Sequence, residues 1–138
     1  ERWSITSEYA LRHLVYKEFG PRGPQLDFYG ESYYFQGVYR ISPEWEAIVR
    51  YDVLYTDRHD HDGSKWVASG ASRGRPAHSR FAKDITVGLR WNITPEFMLR
   101  AEYHHVNGTG WLSTLDNPNL GVTSQHWDLF SILGSYRF

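Results

Sequence analysis

Long runs of strict two-residue alternation constrain this chain more than any other feature. Ile85, Val87, Leu89, Trp91 and Ile93 alternate with Asp84, Thr86, Gly88, Arg90 and Asn92. Phe97, Leu99, Ala101 and Tyr103 alternate with Met98, Arg100, Glu102 and His104, and the pattern recurs in Trp45–Thr56 and Leu129–Phe138. A period of two sends successive side chains to opposite faces of a β-strand, whereas a helix needs a period near 3.6. Two less regular runs, near the N-terminus and around Tyr33, bring the expected total to six strands, at residues 3–17, 26–41, 45–57, 83–93, 97–107 and 126–138. These strands are about 10 to 16 residues long, against about 5–6 in ordinary soluble sheets. A tilted strand needs about 9–11 residues to cross a bilayer. The expected fold is therefore all-β: an antiparallel transmembrane β-barrel segment.

The connections alternate as strictly as the side chains. Ser42-Pro43-Glu44 and Thr94-Pro95-Glu96 are tight turns, with Pro preset for turn geometry and Ser or Thr free to bond the nearby backbone. The other links, at 18–25, 58–82 and 108–125, are long, as on the outer side of a membrane barrel with short periplasmic turns. Ile41-Ser42-Pro43-Glu44-Trp45 and Ile93-Thr94-Pro95-Glu96-Phe97 are one turn written twice, 52 positions apart. The repeat points to a duplicated hairpin rather than a solenoid period.

Composition narrows the options further. The 138 residues include 7 Phe, 6 Trp and 10 Tyr, yet mean hydropathy is negative, so apolar side chains are finely interleaved with polar ones. No stretch approaches the roughly 18 apolar residues of a membrane-spanning helix. The absence of cysteine excludes disulfides and thiol chemistry. A net charge of -1 argues against general attraction to nucleic acid. The aromatics gather at strand ends. Trp3, Tyr39, Trp45, Trp91, Phe97, Tyr136 and Phe138 lie toward the short turns, and Tyr33, Tyr55, Tyr103 and Trp111 toward the long loops. Two such levels are expected where amphipathic rings sit among lipid headgroups.

The C-terminal Ser131-Ile132-Leu133-Gly134-Ser135-Tyr136-Arg137-Phe138 resembles the assembly signal of bacterial outer-membrane β-barrel proteins. Phe138, Tyr136 and Ser131 match that pattern. The family's usual Gly would fall at Leu133, and here Gly134 stands one place later. The Ile-Thr-Pro-Glu-Phe turn and the Arg-Ala-Glu-Tyr strand after it are similar to late hairpins of porin-type barrels. The resemblance implies residence in the outer membrane of a Gram-negative bacterium and a channel function. It also implies recognition of Tyr136 and Phe138 by the barrel-insertion machinery.

The polar phase is charged. Arg12, Arg40, Arg50, Arg90 and Arg100 share it with Glu8, Glu46, Asp52 and Glu102. A three-residue turn sets Arg90 opposite Arg100 and Arg40 opposite Glu46. The facing guanidiniums then need a carboxylate, and Glu46 and Glu102 stand nearest in height. Arg12, Arg40, Arg50, Asp52, Arg90, Arg100 and Glu102 are the expected channel-lining residues. In loop 58–82, His59, Asp60, His61 and Asp62 offer imidazole and carboxylate groups, but no second ligand cluster accompanies them, so a solvated charged loop is the default and no cofactor is expected. Lys65, Arg73, Arg75, His78, Arg80 and Lys83 make this loop basic, suited to lipopolysaccharide phosphates or to a constriction folded into the pore, with an exposed variable loop as the default. His104 and His105 are adjacent, so they point to opposite faces. No nucleophile, zinc or phosphate-loop motif is present, and an enzyme is not expected.

The expected function is passive diffusion of small polar or anionic solutes. Two other classes fit the same pattern: a non-conducting outer-membrane barrel serving as anchor or surface-interaction protein, and a soluble lipocalin-like carrier. Six strands fall short of the eight of the smallest outer-membrane barrels. Further strands are thus expected from upstream sequence or from other chains.

Overall fold

The computed structural model describes residues 2–17, 26–113 and 115–138. Six strands form one antiparallel sheet in sequence order: β1 (Trp3–Tyr16), β2 (Leu26–Arg40), β3 (Trp45–Tyr55), β4 (Phe81–Asn92), β5 (Phe97–Asn107) and β6 (His126–Tyr136). Each strand pairs with its neighbour in the chain, and β1 and β6 form the two edges. The expected strands are reproduced to within two residues at every end. Loop 58–82 is not irregular throughout: it contains a short helix, α1 (Ser64–Ala68), and a 3-10 turn at Ala77–Arg80.

The two short turns are geometric copies. In the first, Ile41 and Ser42 donate their N–H groups to the Trp45 carbonyl at 2.9 and 3.2 Å. The Ser42 hydroxyl accepts from the N–H groups of Glu44 and Trp45. In the second, Ile93 and Thr94 donate to the Phe97 carbonyl at 3.0 and 3.1 Å, and the Thr94 hydroxyl accepts from Glu96 and Phe97. The Ser or Thr side chain thus satisfies N–H groups that the reversing ladder leaves behind.

These turns set the register. Arg40 stands opposite Glu46, and Arg90 opposite Arg100. One face carries Trp3, Tyr39, Trp45, Trp91, Phe97 and Tyr136, with Trp3 against Tyr39 at 4.4 Å and Trp45 stacked on Trp91 at 5.2 Å between centroids. Such offset ring pairs contribute about 0.5–1.5 kcal/mol beyond area burial. The opposite face, here called inner, carries every arginine of β1 to β5 together with Glu8, Glu46, Asp52, Asp84 and Glu102, while Asp27, Glu31 and Lys83 stand on the outer face near the long loops. On β6 the inner face is Trp127, Leu129, Ser131, Leu133 and Ser135.

The distribution of exposure on the central strand β4 is inverted relative to a water-soluble sheet. On β4 the inner residues Ala82, Asp84 and Thr86 are 0%, 4% and 2% exposed, while the outer Ile85, Val87 and Leu89 are 52%, 47% and 48% exposed. A small apolar cluster does form at the long-loop end, where Val53, Tyr55 and Phe81 pack with Tyr33. His61 from the long loop stacks on Tyr55 at 3.8 Å.

The rows also slip along the sheet. Tyr39, Ala47 and Leu89 share one row, yet Tyr39 stands three residues before Ser42 and Leu89 five residues before Thr94. Over two strands the row moves two residues away from the short turns, a stagger of one residue per strand.

The exit of β5 is clamped by two glycines. Gly108 has φ +103, and a Cβ there would lie 2.3 Å from the Phe81 carbonyl oxygen. Gly110 donates its N–H to that oxygen at 2.8 Å. Replacing Gly108 by Ala is expected to cost about 1–3 kcal/mol of local stability. Amide exchange at Gly110 reads this as faster opening. Gly37→Ala, where a Cβ meets nothing within 4 Å, is the control and should leave that rate unchanged.

Candidate functional site

The inner face of β1–β5 combines cross-strand charge pairs with pairs between alternate residues of one strand. Because β3 and β4 place Glu46 opposite Arg90, and β2 places Arg40 on its other side, one carboxylate serves two guanidiniums. Glu46 accepts from Arg40 at 3.5 Å and from Arg90 at 3.4 Å. Arg100 is held by Glu102 on its own strand, two residues on and thus on the same face. The expected neutralisers of the facing Arg90 and Arg100 are therefore the observed ones.

Higher on the wall, Arg50 forms a two-pronged pair with Asp52, both contacts at 2.6 Å. Its guanidinium lies 4.0 Å from the centre of the Tyr34 ring. Fork geometry of this kind fixes the arginine rather than leaving it free to follow a passing ion. Arg12 differs: it stands opposite Gly30, is exposed, and forms no ion pair with any described residue. The seven expected lining residues, Arg12, Arg40, Arg50, Asp52, Arg90, Arg100 and Glu102, thus share one face, and all but Arg12 are engaged in charge pairs.

Sequence reasoning missed one part of this wall. Asp84 is buried, and one of its oxygens bonds His104 Nδ1 at 2.7 Å and the Thr86 hydroxyl at 3.2 Å. Its other oxygen, Oδ1, is buried without a partner. Asp84 lies in the same phase as Arg90, so parity alone was the available signal. With it, the strands β1–β5 carry five arginines and five carboxylates on the inner face, and Arg2 continues it just before β1. The adjacent histidines separate as expected: His104 faces inward to Asp84, and His105 faces outward to Asp128 at 2.8 Å.

The His-Asp run of the long loop builds the loop rather than a metal centre. Asp60 is 6% exposed, and its two oxygens accept from the N–H groups of Lys65 and Trp66, the first turn of α1. This is the work of a helix cap. The expected solvated loop is thus corrected at Asp60, which is buried because free N–H groups of α1 need an acceptor. Asp62 accepts from the Ser64 N–H at 3.0 Å, and that bond lowers its pKa from the usual carboxylate value. His61 bonds Glu31 at 3.0 Å, and the His59 carbonyl accepts from Lys65 Nζ. Among the described residues no group of three His, Asp or Glu is placed to hold a metal ion.

Trp111 also departs from expectation. It was expected at the upper aromatic level, but the Gly108–Gly110 clamp directs it toward the inner face. There it borders a concavity of about 380 Å³ with Glu8, Tyr34, Arg50 and Asp52. Beside the clamp, Thr109 donates its N–H to the His78 carbonyl at 2.8 Å, and His78 Nδ1 meets the Thr109 hydroxyl at 3.1 Å.

Burial lowers the His78 pKa below its ordinary value, which couples the loop contact to pH. As pH falls through about 6.5, an opened loop takes up the proton before the docked one does. Docking stability is complete above that pH and declines below it. Hydrogen exchange at the Thr109 amide, corrected for intrinsic rate, should therefore show more frequent opening at pH 5.5 than at pH 7.5. His78→Phe should remove the difference, whereas equal opening at both pH values would contradict the coupling.

No family model matches the chain, and no curated protein or solved structure is significantly similar to it.

Proposed function

We propose that this sheet is part of the wall of a transmembrane β-barrel in the outer membrane of a Gram-negative bacterium, passing small polar solutes by diffusion. The inverted exposure in the middle of β4 carries the reading: Asp84 and Thr86 are buried while Ile85, Val87 and Leu89 are exposed. Fully burying an aliphatic side chain contributes about 1.5–3 kcal/mol. A continuous band of exposed Ile5, Phe35, Val49, Ile85, Phe130 and Ile132 is costly in water and at ease in lipid.

The stagger supports the same conclusion. One residue per strand is the slip of a closed barrel whose strands tilt by about 36°. At about 3.3 Å per residue and that tilt, an eleven-residue strand rises roughly 30 Å, the thickness of the hydrocarbon core. Edge strands β1 and β6 need partners there, since each unpaired backbone group in lipid costs several kcal/mol (roughly). Further strands, from more of this chain or from other chains, complete the barrel. The exposed Tyr136 and Phe138 are the groups the insertion machinery would read, and the basic long loop would meet lipopolysaccharide.

Balance between five arginines and five carboxylates favours polar or zwitterionic solutes over strongly anionic ones, a narrower class than the arginines alone implied. In planar bilayers the protein should give ohmic channels with weak ion selectivity. Replacing Arg90 and Arg100 by Ser frees Glu102 and leaves Glu46 to Arg40 alone, and should shift the reversal potential toward cations. An inserted protein that leaves the bilayer sealed would instead support a structural or surface-interaction barrel stiffened by its ion pairs. Monodispersity in plain buffer without detergent would overturn the membrane reading altogether.

A further inference from the structure

The register of β1–β3 stacks three dissimilar rows across the inner face. The lowest is Glu8, Tyr34 and Asp52; the next is Ala10, Ser32 and Leu54; above it Arg12 stands opposite Gly30. The small Ala10 and Ser32 of the middle row leave a trough beside Leu54, between the charged and aromatic row and Arg12. Two neighbouring hollows, about 380 and 530 Å³, share Ala10, Ser32 and Leu54 as their floor. Their size falls in the range of about 300–1,000 Å³ typical of small-molecule sites.

Four groups make this trough chemically specific. The Trp111 indole borders it and is 41% exposed, held there by the Gly110–Phe81 bond rather than by ring packing. Arg50 is immobilised between Asp52 and the Tyr34 ring, so its remaining N–H groups are preorganised donors. Glu8 and Arg12 flank the trough and bond no described residue. Glu8 and Asp52 offset Arg12 and Arg50, so the four charges sum to zero. A charge-free hydroxylated ligand can use donors and acceptors of both signs, whereas a phosphate or carboxylate gains no net charge attraction to offset its desolvation.

We propose that this trough is a subsite for a neutral polyhydroxylated ring, a mono- or disaccharide. The C–H face of the ring lies on Trp111, and its hydroxyls bond Glu8, Arg12, Arg50 and Ser32. The inference deepens the channel reading above and rests on it, because the trough lies on the face assigned to the lumen. Sugar binding on this wall would slow a passing solute and give the channel a preference that charge alone does not.

The test uses the whole protein in detergent micelles, with maltose as probe and sodium gluconate as its anionic counterpart, read by titration calorimetry and saturation-transfer NMR. Bilayer conductance of the unsubstituted protein is recorded in parallel. Saturable maltose binding is expected, at least tenfold stronger than gluconate binding. Trp111→Ala and Ser32→Leu should each weaken it at least tenfold, the first by removing the platform and the second by filling the floor. Trp111→Phe should retain most of it.

Maltose binding that survives both weakening variants would overturn the subsite. So would its absence from a protein that conducts, which leaves the channel reading standing. Variant-sensitive maltose binding in a protein that leaves bilayers sealed would support the subsite and overturn the channel.

Discussion

Backbone hydrogen bonding is the constraint on which the rest of this structure depends. Five antiparallel ladders satisfy the main chain across the sheet, and each ladder fixes which side chains share a face. A slip of one residue in any ladder would exchange the two faces of that strand and bring Arg50 or Arg90 among Val49, Val87 and Leu89. The Ser42 and Thr94 turns prevent such slips by bonding the N–H groups of the next strand at equivalent positions. Register, sorting of faces and pairing of charges are thus consequences of the same hydrogen bonds.

The ion pairs of Glu46 follow from that register rather than from local sequence, whereas Arg50–Asp52 and Arg100–Glu102 join alternate residues of one strand. Glu46 reaches Arg40 six residues away and Arg90 forty-four residues away because both flank it on neighbouring strands. A guanidinium on a partly buried wall is costly without an acceptor, and two facing guanidiniums more so. Placing Glu46 and Glu102 beside the Arg90–Arg100 pair resolves that conflict. The wall carries charges on each of β1–β5, among apolar residues such as Ile48 and Leu54, without a large excess of either sign, which is why weak selectivity is the natural expectation.

The strands were legible in the sequence because a period of two is a direct image of the backbone. The Pro turns made the register legible as well, and with it the opposition of Arg90 to Arg100 and the role of Glu46. Loops were not legible in the same way. Asp60 looked like a member of a charged run, but its partners are the N–H groups of Lys65 and Trp66, set by the short helix that follows. Trp111 looked like one more interfacial ring, yet positive φ at Gly108 and the Phe81 contact turn it toward the other face. The pairing of Asp84 with His104, twenty residues apart, needed the observed β4–β5 register together with side-chain positions.

The central claim is that one face of the sheet meets lipid and the other meets water. Spin labels placed singly along β3, from Ala47 to Asp52, test it most directly when the protein is reconstituted in lipid vesicles. Collision rates with molecular oxygen, which partitions into lipid, and with a water-soluble nickel chelate should alternate with a period of two. Labels at 47, 49 and 51 should favour oxygen, and labels at 50 and 52 the chelate, with the buried positions Ile48 and Val53 omitted. Equal accessibility to the chelate at both parities, or protection of the odd positions from both reagents, would contradict the account.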